Sequence, residues 1–531
     1  MGDTANLGPL PPATRAVLRW AVLVGVVGLV ACTSGGFTQA SEDDWTTLIL
    51  GVLVLWVVWL YWRTAEADCR VPVHLLHAHL AVPILILLGH LLWEARVDLA
   101  DGGFELVVAG ETSTLMRLMT LGLLVLVAQD VLSRVRHLRW LLTGLGLTMA
   151  IGAALTLATS PAAPGGLAVA LIGFAGVGIL LTPCLVPRLG PDPYRLRRDM
   201  RLARAGVAAR FAVAAMLAVW MCARSPLAAA VALTAAGGAA LLSGAFLKHH
   251  RVRLLVGGAV LAFGGALAMY RLGVSPPRWL GAVTLLGSRH SHDLVTSPTE
   301  SGLRVLGSSS GYLGMAAVCL GLLGALCRSL HACRRAAPGD QARAACWAGV
   351  AAVGAAALLG EGGLAIPGVM VAAALAFALM PHLMAHRVAR VRGWLVAVVF
   401  AAMLGVLGTQ CPLGKQRWLD LTRRHGDLTM HFFAAMVLTV VLFWQARPRR
   451  WWQGVLCAVG GAVLAALGEV AQEHIVAGRS QESSDVAAGV LGALAALSVF
   501  LLIRAAGWVE RIWRYRPTKV TFEKYQLWRV S

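Results

Sequence analysis

The sequence predicts an all-α integral membrane protein that crosses the bilayer many times. The 531 residues are 58% hydrophobic and only 14% charged, whereas a soluble domain carries about 25% charged residues. The mean hydropathy is +0.72. Nearly uncharged runs such as residues 254–270 and 486–503 approach the length of about 20 residues that crosses the hydrocarbon core. Since lipid offers no hydrogen bonds to the backbone, such runs are expected to be helices.

The apolar runs divide the chain into about sixteen predicted spans, with boundaries good to about three residues. The first, within residues 17–30, follows a polar lead and is predicted to be a retained signal anchor. No strand pattern is apparent. The predicted spans begin near residues 16, 46, 72, 114, 139, 166, 206, 227, 254, 310, 344, 366, 393, 428, 452 and 485.

The formal charge of +20 would suit a nucleic-acid-binding protein, but the positions of the basic residues favour membrane topology. About 34 of the 46 Lys and Arg lie on the predicted cytoplasmic side, most of them in every second gap between spans, which is the positive-inside pattern. This predicts a bacterial cytoplasmic-membrane protein with both termini in the cytoplasm, membrane lipids as partners and no nucleic acid. The basic gaps are residues 134–139, 188–204, 248–253, 328–343, 387–392, 447–450 and 504–529.

The ten cysteines form no CxxC pair, so no structural disulfide or zinc is predicted, and no metal or other cofactor is expected. His74, His77 and His79 lie at the start of the predicted third span. His74 and His77 have the spacing of a haem or metal pair, but no second cluster accompanies them. Interfacial histidines bonded to the backbone or to lipid head groups are the favoured interpretation.

Two polar clusters flank the last spans on the predicted outer side. Asp427 and His431 are four residues apart, which places them on one helix face. Ionisable groups near the membrane usually face one another or water. The set could bind a polar head group or exchange protons through His431; alternatively, it caps helices and anchors them at the interface, with Asp485 as an N-cap. The candidate residues are Asp427, His431, Glu469, Gln472, Arg479 and Asp485.

These residues, with Phe432 and Gly492, resemble the VanZ-like membrane family over roughly 95 residues. The family's Asp-Lys-x-x-His-Phe element has Leu428 here in place of Lys. Its later element combines Glu-x-x-Gln, an Arg, an Asp six residues on and a glycine-containing helix start, with Gly489 here in place of the usual Asn. The resemblance implies a role in the cell envelope and glycopeptide resistance, but not a defined reaction.

The outer segment after the predicted ninth span, residues 271–309, holds a second candidate site. It resembles the periplasmic loop of the O-antigen ligase and polymerase family, in which a His-Asn or His-Ser pair precedes Glu-x-Gly and a further Gly that enters a helix. Either His290 or His292 fits the family position, and the Ser-Arg-Gly element that the family carries earlier appears as 243–246 without its Arg. The predicted catalytic residues are His290, His292, Arg278 and Arg289, and the predicted substrate-binding residues are Glu300 and Arg304.

The second resemblance implies glycan transfer from an undecaprenyl-pyrophosphate carrier to an acceptor outside the membrane. Arginines would stabilise the departing pyrophosphate, and one histidine would take the acceptor proton. An ordinary hydrated loop whose arginines meet lipid phosphates, or a site for another ligand, also fits these residues. The predicted domains are residues 1–390 (O-antigen-ligase-like), 391–505 (VanZ-like) and 506–531 (a basic tail). There are two alternative functions. The first is a non-catalytic protein that binds envelope lipids or glycopeptides, and the second is a transporter.

Overall fold

The structure is a computed structural model in which the helices of most predicted spans are described. It describes residues 42–66, 70–73, 79–90, 109–132, 138–159, 166–181, 196–273, 301–335, 338–364, 366–383, 389–392, 415–475 and 483–514, together with positions 17, 25 and 285. The predicted first span is outside this set apart from two positions, and the predicted thirteenth span, near residue 393, lies outside it altogether.

Fourteen α-helices occur in the described part of the chain. Eight are long and apolar enough to cross a membrane, and four shorter helices or helix segments are also apolar. The all-α membrane fold class is confirmed. The helices are α1 Glu42–Glu66, α2 His79–His90, α3 Ala109–Leu132, α4 Leu138–Thr159, α5 Gly166–Leu181, α6 Leu196–Arg224, α7 Pro226–Phe246, α8 Arg251–Arg271, α9 Gly302–Ala332, α10 Pro338–Leu359, α11 Pro367–Leu383, α12 Lys415–Ala446, α13 Trp451–Ile475 and α14 Ser483–Arg514.

Helix α8 shows why lipid must surround the protein. Only 11% of its apolar span is buried within the protein, and large side chains point outward, including Val260 at 65% and Phe263 at 72% exposure. Its inner face packs closely on α7, where Gly258 lies against the backbone of Leu241. Small residues permit this close approach between membrane helices. A helix this apolar on its exposed face requires hydrocarbon as its solvent.

The described residues include one pair of short strands, although the sequence shows no strand pattern. Strand β1, Arg70–Val73, pairs antiparallel with strand β2, Ala389–Arg392. Each strand has four residues, too few for a period-two pattern to stand out in the sequence. The pairing also corrects the predicted third span, because residue 72 lies in β1 and α2 is described from His79. The predicted boundary between the first two domains, at residue 390, therefore lies inside β2. Since Arg390 pairs with Pro72, β2 contacts β1 of the predicted first domain.

Two helices begin earlier than the apolar runs predicted. Helix α9 begins at Gly302 and is broken at Gly311, whose φ of 67° and ψ of −171° are open almost only to glycine. The predicted start near 310 therefore marks this break. Helix α12 begins at Lys415, ahead of the span predicted to begin near residue 428. Its first turns are polar, and hydropathy alone detects only the apolar part that starts at His431.

Helix α1 connects the N-terminal helices to α12 and α14. The Trp59 ring packs edge-on against Trp444 of α12 with centroids 5.7 Å apart. The Tyr61 hydroxyl donates a 3.0 Å hydrogen bond to the carbonyl of Ala496 in α14. The two predicted membrane domains therefore share a packed interface.

Candidate functional site

Three ionisable side chains from three helices meet near one end of the C-terminal bundle. His431 of α12 lies between Glu469 of α13 and Asp485 of α14. Its Nδ1 is 2.6 Å from Oε1 of Glu469, and its Nε2 is 3.6 Å from Oδ2 of Asp485. The side chains are 14%, 7% and 6% exposed, respectively. We call this group the His431 cluster. Residues 54 positions apart in sequence thus form one polar site.

Close glycine contacts hold the three helices at the separation that the His431 cluster needs. A Cβ built on Gly492 of α14 would collide with the carbonyl oxygen of Phe432, the neighbour of His431. On the other side, a Cβ on Gly461 of α13 would collide with the Thr439 hydroxyl of α12. The helices can approach this closely only because these positions lack a side chain.

The cluster lies at the opposite end of the bundle from a group of arginines. The turn between α12 and α13 exposes Arg447, Arg449 and Arg450, and Arg504 of α14 donates a 3.4 Å hydrogen bond to the carbonyl of Pro448 there. At 1.5 Å per residue, His431 is about 24 Å along α12 from Arg447. This distance is most of the roughly 30 Å hydrocarbon thickness, so the cluster lies near the far edge of the apolar layer.

The buried charge of the His431 cluster sets what it can do chemically. Two carboxylates bring two negative charges, and a single imidazole can offset one of them when protonated. Buried charges are costly unless they are paired or coordinate a metal. The arrangement can therefore accept hydrogen bonds, hold a cation, or pass a proton between the imidazole and a carboxylate.

Only part of the predicted C-terminal site lies within the described side chains. Asp427 and His431 share helix α12, and Gln472 shares α13 with Glu469, although the Asp427 and Gln472 side chains are not among those described. Arg479 lies outside the described residues. The sequence allows Asp485 as an N-cap, but α14 begins at Ser483 and contains Asp485 in its first turn. A carboxylate in the first turn still interacts favourably with the helix dipole.

Of the residues of the second predicted site, Arg304 lies within the described part of the chain. The others lie outside it: Arg278, Arg289, His290, His292 and Glu300. Arg304 is in the first turn of α9, where its backbone N–H donates to the Ser301 hydroxyl at 3.1 Å.

The start of α9 packs against the turn after α10. The backbone N–H of Gly302 donates to the carbonyl of Gly360 at 2.8 Å, and Ser301 forms an isolated bridge with Glu361. The break at Gly311 is also contacted from outside α9, because the Leu313 N–H donates to the carbonyl of Leu285 at 3.1 Å. Arg304 thus lies three residues beyond the bridge between Ser301 and Glu361.

An apolar groove of about 520 Å³ lies among α5, α7, α8 and α10. It is lined by residues including Phe174, Leu261 and Val353, with His250 and Arg253 at the start of α8. The segment carrying His290 follows the other end of α8. The groove's basic residues therefore lie at the end of α8 opposite to the predicted transferase loop.

A buried ion pair that the sequence did not reveal joins α1 and α3. Arg63 Nη1 lies 3.5 Å from Asp130 Oδ2, and the indole N–H of Trp59 donates to the same oxygen at 2.9 Å. Nearer the start of α3, the buried Arg117 guanidinium donates a hydrogen bond to the carbonyl of Leu364 at 3.0 Å. The available indication was a charged residue near the end of each apolar run. The Trp59 indole links this ion pair to the α1–α12 contact.

No protein-family model, curated protein or solved structure matches the chain. The resemblances to the VanZ-like and O-antigen ligase families therefore depend on the quoted residues alone and stay predictions.

Proposed function

We propose that the protein is a cell-envelope membrane protein that binds the polar head of an envelope lipid or glycopeptide at the His431 cluster. The observation that carries this proposal is the convergence of His431, Glu469 and Asp485 from three helices near the edge of the apolar layer. A head group lies at this depth while its acyl chains contact exposed apolar helix faces. Intramembrane ionisable groups that meet in this way commonly mark a functional site.

The alternative, simple capping and anchoring of helices, explains the cluster less completely. A capping residue satisfies the backbone of its own helix, whereas both ring nitrogens of His431 face carboxylates of other helices. Interfacial anchors keep their charged ends in water, whereas Glu469 and Asp485 are nearly buried. Binding a polar head group would offset the cost of burying these carboxylates.

The arginine-rich turn supports an outer location for this site. Basic residues concentrate in cytoplasmic loops, and Arg447, Arg449 and Arg450 lie together between α12 and α13. We propose that this end faces the cytoplasm of a bacterial cell and that the His431 cluster faces outward, where envelope precursors and glycopeptides are met.

The proposal is tested by presenting purified full-length protein in nanodiscs with phosphatidylethanolamine, phosphatidylglycerol and undecaprenyl phosphate and counting retained lipids by native mass spectrometry. His431→Ala and Glu469→Gln should each weaken retention of one lipid class by about tenfold or more, since a hydrogen bond to a charged group contributes about 1.5–3 kcal/mol. His249→Ala is the control, because His249 is an exposed histidine outside the C-terminal bundle. Equal retention by all four proteins would contradict the proposal.

A cellular test uses the glycopeptide phenotype that the family resemblance implies. If the protein confers teicoplanin tolerance on a susceptible host, Glu469→Gln and Arg479→Ala should remove it at matched expression. Tolerance retained by both variants would separate the phenotype from this site.

A second candidate function is glycan transfer by the segment between α8 and α9. The observation favouring it is that this segment contacts the break in α9 through Leu285 and Leu313, close in sequence to Arg304. Purified protein given an undecaprenyl-pyrophosphate-linked glycan and an acceptor should lose transfer when both His290 and His292 become Ala. Unchanged transfer would exclude those histidines from the mechanism.

A further inference from the structure

The His431 cluster has the composition of a metal site. One ligand atom from each of His431, Glu469 and Asp485 lies within 4.8 Å of the others. Imidazole nitrogen combined with carboxylate oxygen suits Zn²⁺ and related ions such as Mn²⁺ or Fe²⁺. We propose that this cluster binds one divalent transition-metal ion. The inference rests on the proposed function, because the ion would give the head-group site its affinity for phosphate.

The distance between His431 and Asp485 fits two ligands that share an ion. Nε2 and Oδ2 are 3.6 Å apart, whereas N–H···O hydrogen bonds extend to about 3.2 Å. Two ligands about 2.0–2.2 Å from a tetrahedral zinc ion lie about 3.4 Å from each other. The gap is therefore too long for a good hydrogen bond and near the value for a shared ion.

Glu469 has the place of the residue that orients a metal-binding histidine. Its Oε1 is 2.6 Å from Nδ1, the distance of a charge-assisted hydrogen bond. A hydrogen bond from Nδ1–H to a carboxylate fixes the tautomer and directs the Nε2 lone pair toward the ion. Here Nε2 is directed toward Asp485. The three residues thus supply an imidazole ligand, a carboxylate ligand and an orienting carboxylate.

The charge of the cluster favours the same conclusion. Glu469 and Asp485 are only 7% and 6% exposed, and buried carboxylates are stabilised by coordinating a cation. A divalent ion adds positive charge beside these carboxylates and so favours a phosphate ligand. Within the part of the chain that the structure describes, His431 and Asp485 supply two ligands, and a lipid phosphate oxygen can serve as a further ligand to such an ion. The inferred ligand class is a lipid bearing a phosphate or pyrophosphate.

The test measures ion binding to the full-length protein directly. Chelator-stripped protein in nanodiscs is titrated with ZnCl₂ and, separately, MnCl₂, and bound metal is quantified by mass spectrometry after equilibrium dialysis. The wild type should bind about one ion per chain. Glu469→Gln should weaken metal binding about 10- to 100-fold, as is typical when an orienting carboxylate is lost. His431→Gln and Asp485→Asn should each weaken metal binding by more than that. His249→Ala should match the wild type, and Mn²⁺ spectra should show nitrogen coupling that His431→Gln removes.

The outcomes separate this inference from the proposed function. Stoichiometric binding that depends on His431 and Asp485 supports the ion site, whether or not a lipid is retained. Retention of phosphatidic acid that appears only after metal is restored supports both proposals. Equal metal binding by wild type, His431→Gln and Asp485→Asn would overturn the ion site, even if every variant is well folded by size-exclusion chromatography. Full lipid retention by metal-free protein would overturn the role of the ion in phosphate binding and leave the head-group site standing.

Discussion

Replacing Gly492 by alanine should destabilise the C-terminal bundle and disturb the His431 cluster. In the structure, a Cβ at this position collides with the carbonyl oxygen of Phe432, and it also lies 2.9 Å from the Phe432 carbonyl carbon and 3.1 Å from the backbone nitrogen of Met436. All three atoms belong to the α12 backbone, which cannot rotate away as a flexible side chain can. The added methyl group must therefore push α14 away from α12.

Two opposing effects set the magnitude of this change. Forcing a methyl group into a packed interface costs about 1–3 kcal/mol. Alanine in place of glycine within a helix contributes about 0.5–1 kcal/mol of stability. The expected net loss is about 1 kcal/mol, and at most about 2.5 kcal/mol. Gly468→Ala is the matched control, since Gly468 is exposed on α13 and a Cβ there would meet nothing within 4 Å. That control should be as stable as the wild type or slightly more stable.

The free energy of unfolding can be measured by titrating each protein with sodium dodecyl sulfate in mixed micelles and following near-ultraviolet circular dichroism. The expected order of stability is Gly468→Ala, then wild type, then Gly492→Ala. If Gly492→Ala unfolds at the same detergent fraction as Gly468→Ala, α12 and α14 do not approach as closely as described. The glycine-based explanation of the site geometry would then be wrong.

The remaining predictions concern other contacts and use the same unfolding measurement. Asp130→Asn should lower stability by about 3–5 kcal/mol, because it leaves the charge of Arg63 buried without its acidic partner; a change under 1 kcal/mol would contradict this role of the pair. Tyr61→Phe should cost about 0.5–1.5 kcal/mol through loss of the hydrogen bond to Ala496, and an unchanged stability would show that this bond contributes nothing. Gly311→Ala should cost about 1–3 kcal/mol because of its backbone conformation, whereas an increase in stability would show that α9 is unbroken there.

The sequence predicted the helices of this protein better than their contacts. Apolar runs identified spans such as α7 and α8 closely, because lipid imposes length and hydropathy on each span independently. The sequence did not reveal β1 and β2, because residues 70–73 and 389–392 are separated by more than 300 positions and neither strand has a hydropathy pattern of its own. Such non-local pairing is a property of the tertiary structure rather than of a local segment.

The same division applies to the candidate site. Alternation of basic and acidic loops placed His431, Glu469 and Asp485 at one membrane face in the prediction, but their mutual distances depend on how closely α12, α13 and α14 pack. That packing depends on glycines whose neighbours are invisible in sequence. The Arg63–Asp130 pair was missed for a related reason, because each residue lies near the end of an apolar run and resembles an interfacial charge until its partner is known.

His431 and Asp485 are proposed to act together in one head-group site, and a double-mutant cycle on lipid binding tests this proposal most directly. The dissociation constant for phosphatidic acid in nanodiscs would be measured for wild type, His431→Ala, Asp485→Asn and the double variant. The losses of binding free energy caused by two residues of one site should be non-additive. The double variant should therefore bind the lipid about as weakly as whichever single variant binds it less tightly. Fully additive losses, or single variants that bind as the wild type does, would contradict the claim.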